Sequence, residues 1–392
     1  MISDSRLAAL REETPGCEKR IHFNNAGASL TPHPVHAAVT RHLALECEIG
    51  GYEAEDRENE KLAGLYTSFA RLLRVKASEI AYVENATRAW DMAFYALPLK
   101  PGDRIVTHAS EYASNYLAFL HQARRRGLEI DVAPSDPSGQ IDVEGLEALI
   151  SERTRLIAIT HVPTQGGLIN PAEAVGAIAR KHGVWYLLDA CQSIGQLDVD
   201  LPKIGCHIAT GTGRKFLRGP RGTGFLYVSD EIVDELDPPF IDLHAATWTS
   251  ENDFELAAGA RRFENWESYV AGRIGLAAAV DYALSIGLPQ IEARTLDLGR
   301  RLRERLDTIP SVRVHDQGER RCGIVTFDKA SVRAPDLAAA LNARGCNISV
   351  AWASSARLDL GRRGLSALGR ASVHYFNTEE EIERFCGHVA EI

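Results

Sequence analysis

The chain of 392 residues is 45 % hydrophobic and 25 % charged, the proportions of an ordinary globular protein, which excludes disorder, collagen-like repeats and a coiled coil. Its 44 basic and 53 acidic side chains leave a net charge of −9, a balance that disfavours nucleic acid, whose binding depends on neutralising phosphates. No apolar run approaches the roughly 20 residues needed to cross a bilayer, and the charge-studded start MISDSRLAALREETPGCEKR lacks the apolar block of a secretory leader.

Seven cysteines, at 17, 47, 191, 206, 322, 346 and 386, show neither metal-finger nor redox-motif spacing. They read as free thiols, which points to a reducing cytoplasm; no membrane partner is expected, because no apolar run is long enough to span a bilayer. His33 and His36 have no acidic or thiol neighbours at matching spacing, so no metal site is expected.

Residues 1–19 are expected to form an N-terminal arm. From about residue 75, short apolar runs alternate with amphipathic stretches. The runs predict strands over Glu79–Val83, Arg104–His108, Leu128–Ala133, Leu156–His161, Val184–Leu188, Ile208–Gly211 and Gly224–Val228. Helical patterns fall between them at Ala86–Ala96, Ser114–Arg125, Val143–Glu152 and Pro171–His182. The last is expected to open with Asn170 as its cap before Pro171 and to end at Gly183. Such alternation predicts an α/β domain over 20–245 with a mainly parallel sheet. After Asp237-Pro238-Pro239 the pattern changes. Residues 240–265 look irregular, and helices at Val270–Ser285, Gln290–Thr308, Pro335–Arg344 and Glu379–Ala390, with strands at Val312–His315 and Gly323–Phe327, predict a smaller α+β domain over 246–392.

Ligands of open parallel sheets bind beyond the carboxyl ends of the strands. The segments Asn85-Ala86-Thr87, Ser110-Glu111-Tyr112, His161–Gly167, Asp189–Gln192 and Gly211–Lys215 all fall there. Asp189 ends an apolar strand, where a carboxylate either caps a turn or meets a cation or several donors. The stretch Thr210–Gly224 carries five glycines around Lys215. It is no phosphate loop of the Walker type, because Lys215 follows Arg214 and precedes Phe216, and it lacks the third glycine of a dinucleotide fingerprint. Its cations Arg214, Lys215, Arg218 and Arg221 could form a basic patch, but the acidic overall charge argues against nucleic-acid binding.

Asp189-Ala-Cys-Gln192, a lysine 26 residues later and a Gly219-Pro-Arg-Gly222-Thr-Gly224 tail together resemble the class V aminotransferase family of pyridoxal-phosphate enzymes. That family includes cysteine desulfurases, cysteine lyases and isopenicillin-N-epimerase-like proteins. The likeness runs from Asn24-Asn25-Ala26-Gly27 to Arg370–Thr378. It implies the aspartate-aminotransferase-like fold of type I, pyridoxal 5'-phosphate as cofactor and a homodimer. It also implies that Lys215 forms the Schiff base and moves protons at Cα. Asp189 would keep the pyridine nitrogen protonated, and Gln192 would donate to the ring hydroxyl. Tyr112 takes the place of the family's stacking aromatic, usually histidine; the alternative is a core tyrosine. Ala86, Thr87 and Arg88 open a helix suited to the phosphate, although Arg88 also reads as a solvated helix arginine. Thr212 and Arg214 match the serine and histidine that face the same phosphate. Arg370 matches the arginine that binds the substrate carboxylate, with Thr164 and Ala28 beside the substrate.

The chain departs from the family at several positions. Desulfurases carry a nucleophilic cysteine shortly before this arginine, and residues 348–369 contain none. Cys191 reads as small buried packing. Thr164 stands where the family has asparagine. Trp266-Glu267 stands where a partner subunit offers Gly-Thr to the phosphate, which leaves Glu267 to face substrate or to pair with Arg214. Trp352 reads equally as pocket lining or as core. The expected activity is β-elimination from a small cysteine-like amino acid by a carbon–sulfur lyase. The alternatives are an aminotransferase, an epimerase and, remotely, a non-catalytic protein that binds the cofactor.

Overall fold

The computed structural model describes residues 2–392. Its main sheet has seven strands: β1 (Ile80–Val83), β2 (Arg104–His108), β3 (Glu129–Ala133), β4 (Thr154–Thr160), β5 (Trp185–Asp189), β6 (Ile208–Thr212) and β7 (Gly224–Val228). Their order is β1-β7-β6-β5-β4-β2-β3. Strands β2 to β6 are parallel, and β7 runs antiparallel to both of its neighbours. Each predicted strand exists, with ends moved by a residue or two.

Alternate residues of the central strands feed opposite cores, because successive side chains of a strand point to opposite faces. Ile157, Ile159, Tyr186 and Leu188 lie in one core, with Val175 and Ile178 of the helix Ala172–His182. Leu156, Ala158 and Leu187 lie in the other, with Trp90, Ala93 and Phe94 of the helix Ala86–Ala96. The continuous apolar character of β4 and β5 follows from burial on both faces.

Asn170 does not cap the helix it precedes. Pro171 takes the cap position, and the Asn170 carboxamide donates instead to the Thr160 carbonyl (2.7 Å) and the Ser110 hydroxyl (3.2 Å). A buried amide with strong acceptors close by satisfies them in preference to a solvent-facing helix end. Gly183 closes the same helix at φ 63°. The helix predicted to Glu152 stops at Ala148.

Helix Val270–Ile286 packs against both His33–Ile49 and Asn59–Leu73, and its Leu276 and Val280 enter the main-sheet core. The apolar core therefore does not change at 245/246. It changes inside the helix Leu288–Asp307, whose Ile291 faces the main sheet and whose Leu298, Leu302 and Leu306 face the C-terminal sheet. That second sheet is antiparallel: β8 (Val312–Val314), β9 (Ile324–Lys329), β10 (Ser349–Trp352) and β11 (Ala367–Ser372), in the order β8-β9-β11-β10. Ile21 and Phe23 pack into its core, so the chain just after the arm belongs physically with the C-terminal unit. Within 240–265 lies a hairpin, Ala246–Ser250 with Asp253–Leu256, rather than irregular chain. Among the described residues, no single helix is long and apolar enough to cross a membrane.

Candidate functional site

Strands β1, β2, β4, β5 and β6 end at one edge of the main sheet, and the polar segments after them line one cleft. At its floor Asp189, buried at the end of β5, accepts the Cys191 amide (2.8 Å) and the Asn115 carboxamide (2.9 Å). Lys215, buried just after β6, lines the same cleft. Burial, with the nearby Arg214 and Arg370 cations, lowers the proton affinity of its amine, while Cys191 and Asp189 act in the opposite sense. A less basic amine spends more of its time neutral, as a nucleophile or base requires.

The helix Ala86–Ala96 starts at the cleft rim. Asn85 caps it, accepting the Arg88 amide at 2.9 Å, and the backbones of Ala86 and Thr87 open its first turn. Thr212 and Arg214 face them across the cleft, with the Arg214 guanidinium donating to the Thr212 hydroxyl (3.1 Å). Free first-turn amides, two hydroxyls and one cation make an anion-binding wall. Arg88 does not join it: its guanidinium lies over the Phe240 ring at 4.7 Å. Two positions beyond Ala86 a helical side chain has turned to another face, and the aromatic ring there attracts the cation.

Tyr112 lines the cleft half-buried rather than in the core. Thr164 also lines it, and Gln192 donates to the Thr164 hydroxyl (3.0 Å) and to the Ala26 carbonyl (3.1 Å). Both amide hydrogens of Gln192 are thus engaged, and its buried Oε1 has no partner. Gln192 therefore offers an acceptor to the cleft where a donor was expected. Ala28 does not line the cleft; its carbonyl accepts from His22 (2.9 Å), and the Ser29 amide next to it binds the Arg214 carbonyl (2.9 Å).

Arg370 reaches in from β11. Burial lowers its pKa to about 10, assisted by Arg214 and opposed by Tyr112, and its Nε is buried without a partner. It remains a cation at neutral pH, with its Nε and Nη2 donors free of protein partners.

Three sequence readings change. Cys191 is half-buried and forms part of the cleft wall, although burial and Asp189 push its thiol pKa well up and keep it protonated. Trp352 is exposed, neither core nor pocket. Trp266 and Glu267 are exposed and line a separate cavity with Tyr52 and Arg273, so within one chain Glu267 meets neither the cleft nor Arg214. Arg218 is no part of a basic surface: it is buried and donates to Leu30 O (2.9 Å) and Thr14 Oγ1 (2.7 Å), with its guanidinium 4.3 Å from the centre of the Phe376 ring. Asn115 and Thr160 line the cleft unforeseen. The helical spacing from Glu111 to Asn115 was the one available signal for the first. Among the described residues no cluster of side chains is suited to a metal ion.

This donor set fits pyridoxal phosphate. It has an amine of lowered basicity, a carboxylate held at the floor, an anion-binding wall across from it, and a buried unpartnered oxygen on Gln192 within the cleft.

Comparison with known proteins agrees. The family model described as aminotransferase class-V matches residues 21–385. A probable cysteine desulfurase of Methanothermobacter thermautotrophicus is 30 % identical over 385 residues, covering 96 % of each chain. A probable cysteine desulfurase of Xylella fastidiosa is 32 % identical over 395 residues, covering 96 % of this chain and 93 % of its own. Among solved structures, the apo cysteine desulfurase of Thermococcus onnurineus NA1 superposes with a TM-score of 0.91 at 29 % identity, covering 98 % and 97 % of the two chains. The cystine C-S lyase C-DES, solved with cysteine persulfide, superposes with a TM-score of 0.88 at 22 % identity over 97 % and 99 %, a likeness of fold. The architecture is the type I fold of pyridoxal-phosphate enzymes, and the chain belongs to the class-V aminotransferase family of enzymes that use this cofactor.

Proposed function

We propose that the chain is a carbon–sulfur lyase that releases a thiol or sulfide from a cysteine-like amino acid by β-elimination. The observation that carries this reading is a cleft lined by Lys215 and Asp189, with Arg370 bonded to its wall residue Thr164 and close enough to act on the Lys215 amine, in a chain whose segment 348–369 holds no cysteine to receive sulfur. The names of the relatives support a cysteine-like substrate, and the missing cysteine favours elimination over persulfide transfer.

Bound in the cleft, pyridoxal phosphate would supply an electron sink for the charge left at the substrate's Cα. Ala86, Thr87, Thr212 and Arg214 would hold its phosphate, Asp189 its ring nitrogen and Gln192 Oε1 its ring hydroxyl, with Tyr112 beside the ring. Arg370 would take the substrate carboxylate with its planar fork and orient Cα toward Lys215. The Lys215 amine would remove the Cα proton. Loss of the β-sulfur and uptake of water would give pyruvate and ammonium. In balance, R–S–CH2–CH(NH3+)–COO− and water give R–SH, pyruvate and ammonium.

The test is product identification with the purified protein on cysteine, cystine, S-substituted cysteines and their sulfoxides. Pyruvate and ammonium in equal amounts are expected, together with a visible cofactor band that Lys215→Ala abolishes. No pyruvate from any of them sinks the reading, and persulfide on a protein cysteine would turn it to desulfurase. We further infer a homodimer, supported by the exposed apolar side chains of Phe240, Leu243, Trp248 and Phe254 on one stretch of chain. A monomer in sedimentation at micromolar concentration would refute it. A cytoplasmic location accords with seven free cysteines, five of them buried, and cell fractionation tests it.

A further inference from the structure

The turn after β2 holds a carboxylate that the proposed reaction does not consume. Glu111 is buried, and its Oε1 accepts three donors: the Tyr112 amide (2.8 Å), the Asn115 carboxamide (2.9 Å) and the Thr160 hydroxyl. Its other oxygen accepts the Thr107 hydroxyl at 3.2 Å. The same Asn115 nitrogen donates to Asp189 Oδ2 at 2.9 Å. One amide group thus spends its two hydrogens on two buried carboxylates, one behind the other. The donors come from β2, the following helix and β4, so the network closes only when the sheet edge is assembled.

We infer that Glu111 is a positioning residue for the cofactor site: through Asn115 it fixes the Asp189 carboxylate, and through the Tyr112 amide it fixes the ring that lines the cleft. The inference rests on the reading that Asp189 meets the cofactor's ring nitrogen. It goes beyond that reading in assigning a second carboxylate and its bridge.

The electrostatics add a consequence. Burial first, and Asp189 with it, raise the Glu111 pKa to about 7, against the lowering action of Thr160, Asn115 and Tyr112. The charged group facing Glu111 is Asp189 on β5. On its own turn His108 bonds Ser110 (2.7 Å) and Ser135 (2.9 Å), and beyond β4 lies His161; burial lowers both to about 4 and leaves them neutral. Near neutral pH a proton therefore enters or leaves Glu111 two hydrogen bonds from Asp189. With Glu111 charged, Asp189 holds a protonated ring nitrogen more firmly; with Glu111 neutral, less so.

The experiment compares Glu111→Gln, Asn115→Ala and Asp189→Asn with the parent holoprotein. Glutamine keeps the acceptor for all three donors on Oε1 and removes the charge. The visible cofactor band of the parent is expected to shift with a midpoint near pH 7, and that transition is expected to vanish in Glu111→Gln. Asn115→Ala is expected to weaken cofactor binding roughly tenfold, as for a lost hydrogen bond to a charged group, and adding Glu111→Gln to it to change binding less than about twofold.

A readout free of cofactor uses the apo-protein. The folded pKa of Glu111 lies above its unfolded value, so the folded state binds the extra proton between about 4.5 and 7, and this contribution to stability is lost as pH rises through that window. The melting temperature of Glu111→Gln relative to the parent should therefore climb across it. An unchanged pH midpoint in Glu111→Gln, unchanged cofactor affinity in Asn115→Ala, or multiplicative effects of the two overturn the inference. If Asp189→Asn also leaves affinity and spectrum unchanged, the underlying reading of Asp189 falls with it; if Asp189→Asn alone has an effect, only the role of Glu111 falls.

Discussion

Arg370 and Thr164 are joined twice: one guanidinium nitrogen of Arg370 donates to the Thr164 backbone carbonyl at 3.0 Å and to its hydroxyl at 2.6 Å. The arginine comes from β11 of the C-terminal sheet and the threonine from the segment after β4, so the pair ties the two units together across the cleft. Two bonds to one residue remove much of the rotational freedom of a long side chain, and the remaining donors keep a defined direction.

Replacing Arg370 by lysine keeps the charge and loses the fork. KM for the amino acid should rise about 10- to 100-fold, corresponding to roughly 1.5–3 kcal/mol for a lost charge-assisted hydrogen bond, while kcat changes less. Steady-state kinetics on the best substrate of the cysteine panel decide this. An unchanged KM would remove Arg370 from substrate binding.

Thr164→Val deletes the hydroxyl that receives both Arg370 and Gln192. The Gln192 amide keeps only its bond to the Ala26 carbonyl, and Arg370 keeps only the Thr164 carbonyl. A loss of about 1–2 kcal/mol in stability is expected, with KM raised several-fold. Thr164→Asn, which restores a polar side chain there, should recover part of both. Urea denaturation together with kinetics tests the pair, and equal effects of valine and asparagine would contradict this account.

Acid should unfold the apo-protein earlier than carboxylate protonation alone would require. Burial lowers His22, His108 and His161 to about 4, and His374 well below its ordinary value. Between about 4 and 6.5 the unfolded state binds the extra protons, so stability rises with pH through this window and is lost as pH falls through it. Each buried histidine contributes on the order of 1–3 kcal/mol. The single charge of Glu111 acts in the opposite direction and does not reverse the sum. A melting temperature that stays flat from about pH 7 to pH 5 would contradict this.

Gly176 lies where the helix Ala172–His182 touches the turn of Leu201–Ile204, and a Cβ there would sit 1.7 Å from the Ile204 carbonyl oxygen. Backbone cannot yield as a side chain tip does, so Gly176→Ala should cost about 3 kcal/mol. Gly387, on the C-terminal helix with open space around it, is the control. Gly387→Ala should be neutral or add up to about 1 kcal/mol. Thermal melts of both variants test the contrast.

The sequence by itself determined the seven strands of the main sheet and several of its helices, because apolar period, glycine stops and capping residues act over a few residues. It also singled out Lys215 and Asp189, which the fold brings to one cleft, since residue type and spacing carry that information directly. Tertiary structure decided which of several like side chains does what. Arg370 became the cation over the cleft, Arg218 a buried tie to Thr14 and Phe376, and Arg88 a partner of Phe240, although all three are arginines near glycines or helix starts. It also took Asn170 from its expected cap to the Thr160 carbonyl and joined Glu111 to Asp189 through Asn115. These outcomes rest on contacts between residues far apart in the chain, where a buried polar atom accepts whichever partner the packed fold brings within 3 Å or so.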